Sequence, residues 1–148
     1  MDKRELGLLE IYDRIKAAKD SGVLSIKSFQ RSPTIPVNEV DLPCVFMVEG
    51  DDEIVKRSSR NPLGYPAERN LEVILELVAR GSADIRKLYK DLRVAVLKDG
   101  AIVTTNTFIR EIRTEGPTGY GLPDVLGIRF VLSLTYMDDG FLADIVLP

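Results

Sequence analysis

Four carboxylates stand together in the stretch 49–53 and form the densest group of metal-ligating side chains in the sequence. Their oxygens would suit Ca²⁺, but no Glu closes a twelve-residue loop that begins at Asp51, as an EF-hand requires. Segments 44–48 and 53–56, which contain apolar residues typical of strands, flank the turn-forming residues Glu49-Gly50-Asp51-Asp52. The pattern therefore predicts a β-hairpin whose solvated tip carries the acidic residues, rather than a metal site.

Two further groups of residues could contact phosphate. The segment 116–121 is rich in glycine, but it has neither the Lys-Ser/Thr pair nor the following helix that a P-loop needs. Lys56, Arg57 and Arg60 form a small basic cluster, which Arg69 would join if the loop between them folds back. Such a cluster in an acidic chain is usually a solvated face or a site of ion pairs. The sequence therefore favours neither nucleotide binding nor a nucleic-acid interface.

Histidine is absent from the chain, and Cys44 is its single cysteine. Catalytic triads, Cys-His pairs and His- or Cys-rich zinc sites are thereby excluded, and the commonest general acid and base near neutral pH is missing. Cys44 follows Pro43 and precedes apolar residues, so we interpret it as a small packed hydrophobe. We expect no enzymatic activity, no cofactor and no metal.

The composition is that of an ordinary globular protein of one domain, residues 1–148. The chain has 148 residues, of which 45% are hydrophobic and 29% charged, and its formal net charge is −3. A length of this order fits a single core, and a single cysteine gives no support to an oxidising compartment. With a charged N-terminus and no apolar run approaching 18 residues, we expect no secretory signal, no transmembrane helix and no membrane partner.

The elements that must position these residues follow from the spacing of the apolar side chains. Periods of three and four predict amphipathic helices over residues 2–20 and 83–97, the second with Ser82 as its N-cap. Alternation and apolar runs predict strands over residues 23–29, 69–80, 108–114, 125–137 and 141–147, besides the hairpin. Segments 30–43, 57–68 and 115–124 read as loops, and 138–140 as a turn. The order predicts an α+β fold, in which a largely antiparallel mixed sheet carries two amphipathic helices on one face.

The two longest predicted strands are long for a domain of this size. At about 3.3 Å per residue, 69–80 and 125–137 would each span about 40 Å, which is the whole diameter expected for a compact chain of this length. Either the strands bend or carry bulges, as Gly127 would permit, or the sheet extends past the core and meets another subunit.

Two of the loops combine glycine and proline with large side chains. Leu63 and Tyr65 lie in the first loop, and Tyr120 and Leu122 in the second. Long loops in small domains are usually functional or disordered, and tyrosine is favoured at protein interfaces. We therefore predict that these four residues dock on neighbouring subunits or other proteins.

Taken in order, these elements resemble those of the tail terminator (tail completion) proteins of long-tailed bacteriophages. The resemblance covers most of the chain: a charged first helix, a proline-interrupted connection, a Leu-Pro-Cys-Val-Phe strand, the run Tyr-Pro-Ala-Glu-Arg before Leu-Glu-Val-Ile-Leu-Glu-Leu-Val, a helix, and late strands. It implies a virion protein assembled in the host cytoplasm, whose protomers form a homo-oligomeric, hexameric ring. The ring would cap the tail tube, end its polymerisation and meet the neck or head–tail connector proteins.

A ring of this kind surrounds a channel through which DNA only passes. Glu72 and Glu76 lie on the more polar face of one long strand and Arg129 on that of the other, so we expect them to face the lumen. A channel benefits from a wall that does not grip phosphates. Two alternatives stay open: another phage neck or head–tail joining protein, and a small enzymatic or ligand-binding α+β domain with a carboxylate site.

Overall fold

The computed structural model describes residues 2–31, 41–60, 62–100, 102–104 and 107–140. Within them the elements are α1 (Lys3–Asp20), β1 (Ser28–Arg31), β2 (Cys44–Arg57), β3 (Ala67–Arg80), α2 (Ser82–Leu97), β4 (Ile102–Thr104), β5 (Thr107–Gly119) and β6 (Val125–Asp138). The six strands form one sheet in the order β1-β2-β3-β6-β5-β4. β1 is parallel to β2 and the remaining pairs are antiparallel. The predicted α+β fold with a largely antiparallel mixed sheet is confirmed.

Both helices pack on the same face of the sheet. Alternate residues of β3, from Leu71 to Leu77, are fully buried beneath them. On β6, Phe130 is fully buried and meets the ring of Tyr89 of α2 edge to face, with ring centroids 5.8 Å apart. The apolar stripes predicted for the helices supply the other side of this core, as expected of amphipathic helices.

The ends of the helices follow ordinary capping chemistry, with one difference from prediction. Asp2 caps α1, because its carboxylate accepts a hydrogen bond from the Glu5 backbone N–H at 2.7 Å. The prediction of Ser82 as the cap of α2 is wrong: Gly81 takes the cap position with a φ of 79°, and Ser82 is already helical. Glycine adopts that backbone conformation without steric cost.

Arg14 of α1 joins the two helices. Its side chain is buried and donates hydrogen bonds to the carbonyl oxygens of Val96, at 2.7 Å, and Gly100, at 3.0 Å. These carbonyls belong to the last turn of α2 and the residues after it, where the helix itself offers no donors. A cation at this position also interacts favourably with the helix dipole.

The central strands β3 and β6 pair without interruption, whereas their neighbours carry extra residues. All fourteen residues of β3 are in register with β6, from Ala67 opposite Asp138 to Arg80 opposite Val125. Two irregularities lie in β2 against β3 and two in β5 against β6. The two long strands are therefore regular, and the bulges that the sequence left as one explanation of their length lie in the flanking strands. An extra residue bends a strand and increases its twist.

The predicted hairpin at residues 49–52 is wrong, since β2 runs straight through this segment. One bulge, between Glu49 and Asp52, absorbs the glycine and the extra acidic residue. The carboxylates of Glu49 and Asp52 then reach arginines on other elements, which removes the need for a solvated turn.

Two further boundaries differ from prediction. Segment 23–27 is not a strand, and β1 begins only at Ser28. The Leu24 N–H donates to the Ala18 carbonyl and so closes the turn that follows α1. The predicted loop 115–124 is shorter, because β5 continues to Gly119 opposite Leu126. Here a bulge that contains Gly116, with a φ of 100°, accommodates the glycine and proline. The predicted strand 141–147 lies outside the described residues, as does most of the connection 30–43, whose first two residues belong to β1.

Candidate assembly surface

The side of the sheet opposite the helices carries all three residues predicted to face a lumen. Since odd-numbered residues of β3 point into the core, Glu72 and Glu76 point the other way, and cross-strand pairing brings Arg129 beside Glu76. We call this side the open face. Two ion pairs cross strands on it: Glu72 lies 3.4 Å from Arg113, and Glu76 lies 3.9 Å from Arg129.

The charge balance of the open face determines what it can do chemically. Acidic side chains of β3 alternate with apolar ones, and the arginines come from β5 and β6 on either side of them. Such partly exposed pairs add little stability, but they neutralise Arg113 and Arg129, which weakens the attraction of these two residues for a phosphate backbone. That lumen assignment remains a prediction.

Tyr120 and Leu122 fold back over one end of the open face. The Tyr120 ring lies so close to Gly127 that a Cβ there would meet the ring at 2.9 Å, and burial together with a hydrogen bond to Glu76 raises the pKa of Tyr120 to about 12. Leu122 packs with Tyr120 against a small apolar cluster formed by Leu42, Cys44, Phe46, Val78 and Val125. Both residues are half-buried against their own domain, and only part of each is available to another protein.

Leu63 and Tyr65 lie at the opposite end of the sheet. The Leu63 side chain is 52% exposed, whereas the Tyr65 ring lies against Gly140, with a Cβ at Gly140 meeting it at 2.9 Å. The register of β3 with β6 separates these ends by the full length of the strands. The structure therefore does not bring the four predicted docking residues together: one pair stands at each end of the sheet.

Sequence reasoning missed an ion-pair cluster at the N-terminal end of α1. Arg4 contacts Glu49 at 2.7 Å and Asp52 at 3.3 Å, and Arg69 contacts Asp138 at 2.6 Å and Asp52 at 3.6 Å. Arg69 is thus committed here and does not join the basic cluster of the β2–β3 loop. No local pattern announces the group, because its members come from α1, β2, β3 and the end of β6.

The cluster extends to the first edge strand and to a buried hydroxyl. Arg31 of β1 donates to both carboxylate oxygens of Glu5, at 2.6 and 3.0 Å, and this hydrogen bonding lowers the pKa of Glu5. Tyr136 donates its hydroxyl to Asp52 at 2.6 Å. These contacts tie α1 directly to β1 and β2 and, through Asp52, to β3 and β6, so the cluster stabilises the fold at the point where α1 begins.

The residues best suited to bind a metal ion or to act as a thiol nucleophile can be located in the described part of the chain. Among the described residues, no group of three or more His, Cys, Asp or Glu side chains could hold a metal. Cys44 is 1% exposed, and burial raises the pKa of its thiol to about 11, which keeps it protonated and unreactive near neutral pH. The interpretation of Cys44 as a packed hydrophobe agrees with this position. Neither of the two described helices has the length and apolarity needed to cross a bilayer.

The comparisons with known proteins concern the fold. No family model matches the chain, and no curated protein is significantly similar to it in sequence. A solved chain from the virion of a native gene transfer agent particle has a similar structure, with a TM-score of 0.56 and 11% sequence identity. The similarity covers 86% of this chain and 91% of that chain. At this level of identity the two chains share an architecture.

Proposed function

We propose that this protein is a structural component of a phage-like virion and not an enzyme. One observation carries the proposal: the fold is shared, over nearly the full length of both chains, with a protein from the virion of a gene transfer agent particle. The lack of histidine and the buried, protonated Cys44 agree with a role that needs no chemistry. Such a protein would be assembled into the particle in the host cytoplasm.

Within this class we propose the tail terminator role, in which a ring of about six copies caps the tail tube. The order of elements supports the ring, and the two candidate docking loops support two partners, because they lie at opposite ends of the sheet. One end would meet the tail tube and the other the neck. The two ion pairs of the open face, Glu72–Arg113 and Glu76–Arg129, suit the wall of a channel through which DNA passes.

The shared virion fold would serve another neck or head–tail joining protein equally well, and removal of the protein separates the two roles. Particles assembled without a tail terminator should carry tail tubes of uncontrolled length, because nothing stops polymerisation. Particles that lack a joining protein should instead accumulate tails of normal length that are not attached to heads. Electron microscopy of particles made with and without this chain distinguishes these outcomes, and normal attached tails in its absence would refute both roles.

Oligomeric state provides the second test. Native mass spectrometry at increasing concentration, together with negative-stain images of tails carrying the labelled protein, should show a ring of about six copies. If rings are absent both in concentrated solution and on the ends of tails, the tail terminator proposal is wrong.

A further inference from the structure

Cations without partners gather on the β5 side of the molecule. Arg86 and Lys90 are exposed on α2 at a spacing of four, and Arg93, three residues further, pairs with Glu111 of β5 at 2.8 Å, which shows that this stripe turns toward β5. Arg110 of β5 itself is also exposed. In the described part of the chain Arg86, Lys90 and Arg110 form no ion pair.

An apolar side chain lies beside these cations. Ile112 is the extra residue of a β5 bulge and is 45% exposed. We call Arg86, Lys90 and Ile112 the basic flank; Arg110 lies opposite Ser133 and therefore on the open face, away from α2. The carboxylates nearby are already paired, Glu111 with Arg93 and Glu115 with Arg113.

On the other side of the central pair, two exposed carboxylates of β2 precede the exposed cations Lys56 and Arg57. Asp51 and Glu53 are exposed on β2 and form no ion pair with any described residue, whereas the neighbouring Glu49 and Asp52 do. Val55 is the extra residue of a β2 bulge and is 54% exposed. We call Asp51, Glu53 and Val55 the acidic flank.

The strand order places the two flanks toward opposite lateral edges of the sheet, since β2 and β5 lie on either side of the central pair β3–β6. Both strands also have outer edges without a neighbour in the described part of the chain: β1 covers only Cys44–Met47 of β2, and β4 pairs only with Thr107 and Phe108 of β5. A copy of the chain therefore presents the α2 cations and Ile112 on the β5 side, and Asp51, Glu53 and Val55 on the β2 side.

We propose that the basic flank of one copy binds the acidic flank of the next, head to tail. The proposal rests on the ring assembly proposed above and names the surfaces that would build it. A heterologous contact of this kind closes into a ring when the rotation between copies allows it. Opposite charges on the two surfaces steer the encounter and fix the register, and Val55 and Ile112 supply apolar area. A second copy of the chain is favoured over nucleic acid as the partner, because the net charge of the chain is −3 and the acidic flank offers carboxylates to the basic flank.

Charge reversal on each flank provides the test. Arg86→Glu with Lys90→Glu makes the basic flank acidic, and Asp51→Lys with Glu53→Lys makes the acidic flank basic. Each variant alone should lose self-association at least about tenfold, measured by sedimentation velocity, because like charges then meet at every contact. An equimolar mixture should regain it, because every contact between alternating copies is complementary again.

The controls use exposed residues of α1 outside both flanks, Lys16→Glu and Asp13→Lys, which should leave self-association unchanged. Melting temperatures of all variants report whether each remains folded. If both charge-reversed variants still form rings as the wild type does, the head-to-tail contact is wrong while the ring itself stands. The same conclusion follows if the mixture of the folded variants does not regain self-association.

Two other results would overturn the contact in different ways. A wild-type chain that never self-associates, in solution or on tails, refutes the ring and the contact together. If the Arg86→Glu, Lys90→Glu variant keeps its assembly but loses binding to a short DNA duplex, the basic flank serves nucleic acid and not a second copy.

Discussion

At the scale of single residues, the partly buried carboxylate of Asp52 connects four elements beside a bulge of β2. Asp52 accepts a hydrogen bond from Tyr136 and lies within reach of Arg4 and Arg69. Each of these partners comes from a different element, so the carboxylate links the start of α1 to β3 and β6 through one side chain of β2.

Tyr136→Phe tests this link. The hydroxyl is removed from a residue that is 6% exposed, and Asp52 loses its 2.6 Å donor, so the free energy of unfolding should fall by about 1–2 kcal/mol. Urea denaturation measures the change. Tyr12→Phe is the matched control, since the Tyr12 ring stacks on Phe29 and its hydroxyl has no partner among the described residues. Equal effects of the two changes would contradict the proposed importance of the Tyr136–Asp52 hydrogen bond.

The buried thiol of Cys44 should make stability depend on alkaline pH. Burial raises its pKa from 9.0 to about 11, so the folded state holds the proton more tightly than the unfolded state. The resulting stabilisation is complete below about pH 9 and is lost as the pH rises toward 11, by at most about 1.4 kcal/mol per pH unit. Urea unfolding over this range should show a shallower decline for Cys44→Ala than for the wild type. The raised pKa of Tyr120 acts in the same direction in both proteins, so identical slopes would refute the assignment to Cys44.

At the scale of elements, the regular central pair and the bulged flanking strands divide the sheet into two kinds of strand. β3 and β6 alternate strictly and are buried on the helix side. β5 needs its irregularities because Gly116 and Pro117 interrupt the alternation, and Gly116 approaches the backbone of β6 too closely for a side chain.

Gly116→Ala should therefore destabilise the β5–β6 pair. The backbone at Gly116 has a φ of 100°, and an added Cβ would lie 2.6 Å from the carbonyl oxygen of Gly127. We expect a loss of about 2 kcal/mol or more in the free energy of unfolding, because both the conformation and the contact are strained. Gly119→Ala, where nothing lies within 4 Å of the added atom, should change stability little. A similar effect of the two substitutions, measured by thermal unfolding, would show that the close approach at Gly116 does not matter.

At the scale of the whole molecule, some residues of the predicted docking loops stabilise the monomer, and others are free to serve assembly alone. Tyr120 packs on Gly127 and a small apolar cluster, so its truncation should weaken the monomer as well as any interface. Leu63 offers a cleaner test because 52% of it is exposed.

Leu63→Asp should leave the melting temperature nearly unchanged and prevent ring formation or tail capping, since a charge would be buried in a contact made by an apolar residue. Val23→Asp provides the control: Val23 is 59% exposed in the connection between α1 and β1, and its change should affect neither property. Rings of Leu63→Asp that form as readily as those of the wild type would remove Leu63 from the interface.

The sequence predicted best those elements in which apolar residues recur at a single helical or strand spacing. The stripes of α1 and α2 and the alternation of β3 and β6 located the core and the open face, and with it the common surface of Glu72, Glu76 and Arg129. It failed where distant residues decide the outcome. The acidic stretch 49–52 resembles a turn in isolation, but Arg4 and Arg31 compensate the charges of Glu49 and Asp52 inside a continuous strand. The segment 115–119 resembles a loop until β6 pairs with it.

The bulges of β2 and β5 also govern how the protein behaves when it is crowded. An unbroken strand edge would let copies zip together without limit, as in amyloid. Because each of these two strands carries two bulges, a foreign strand stays in register with either of them only over a short stretch. We therefore expect little tendency for copies to stack edge to edge into fibres.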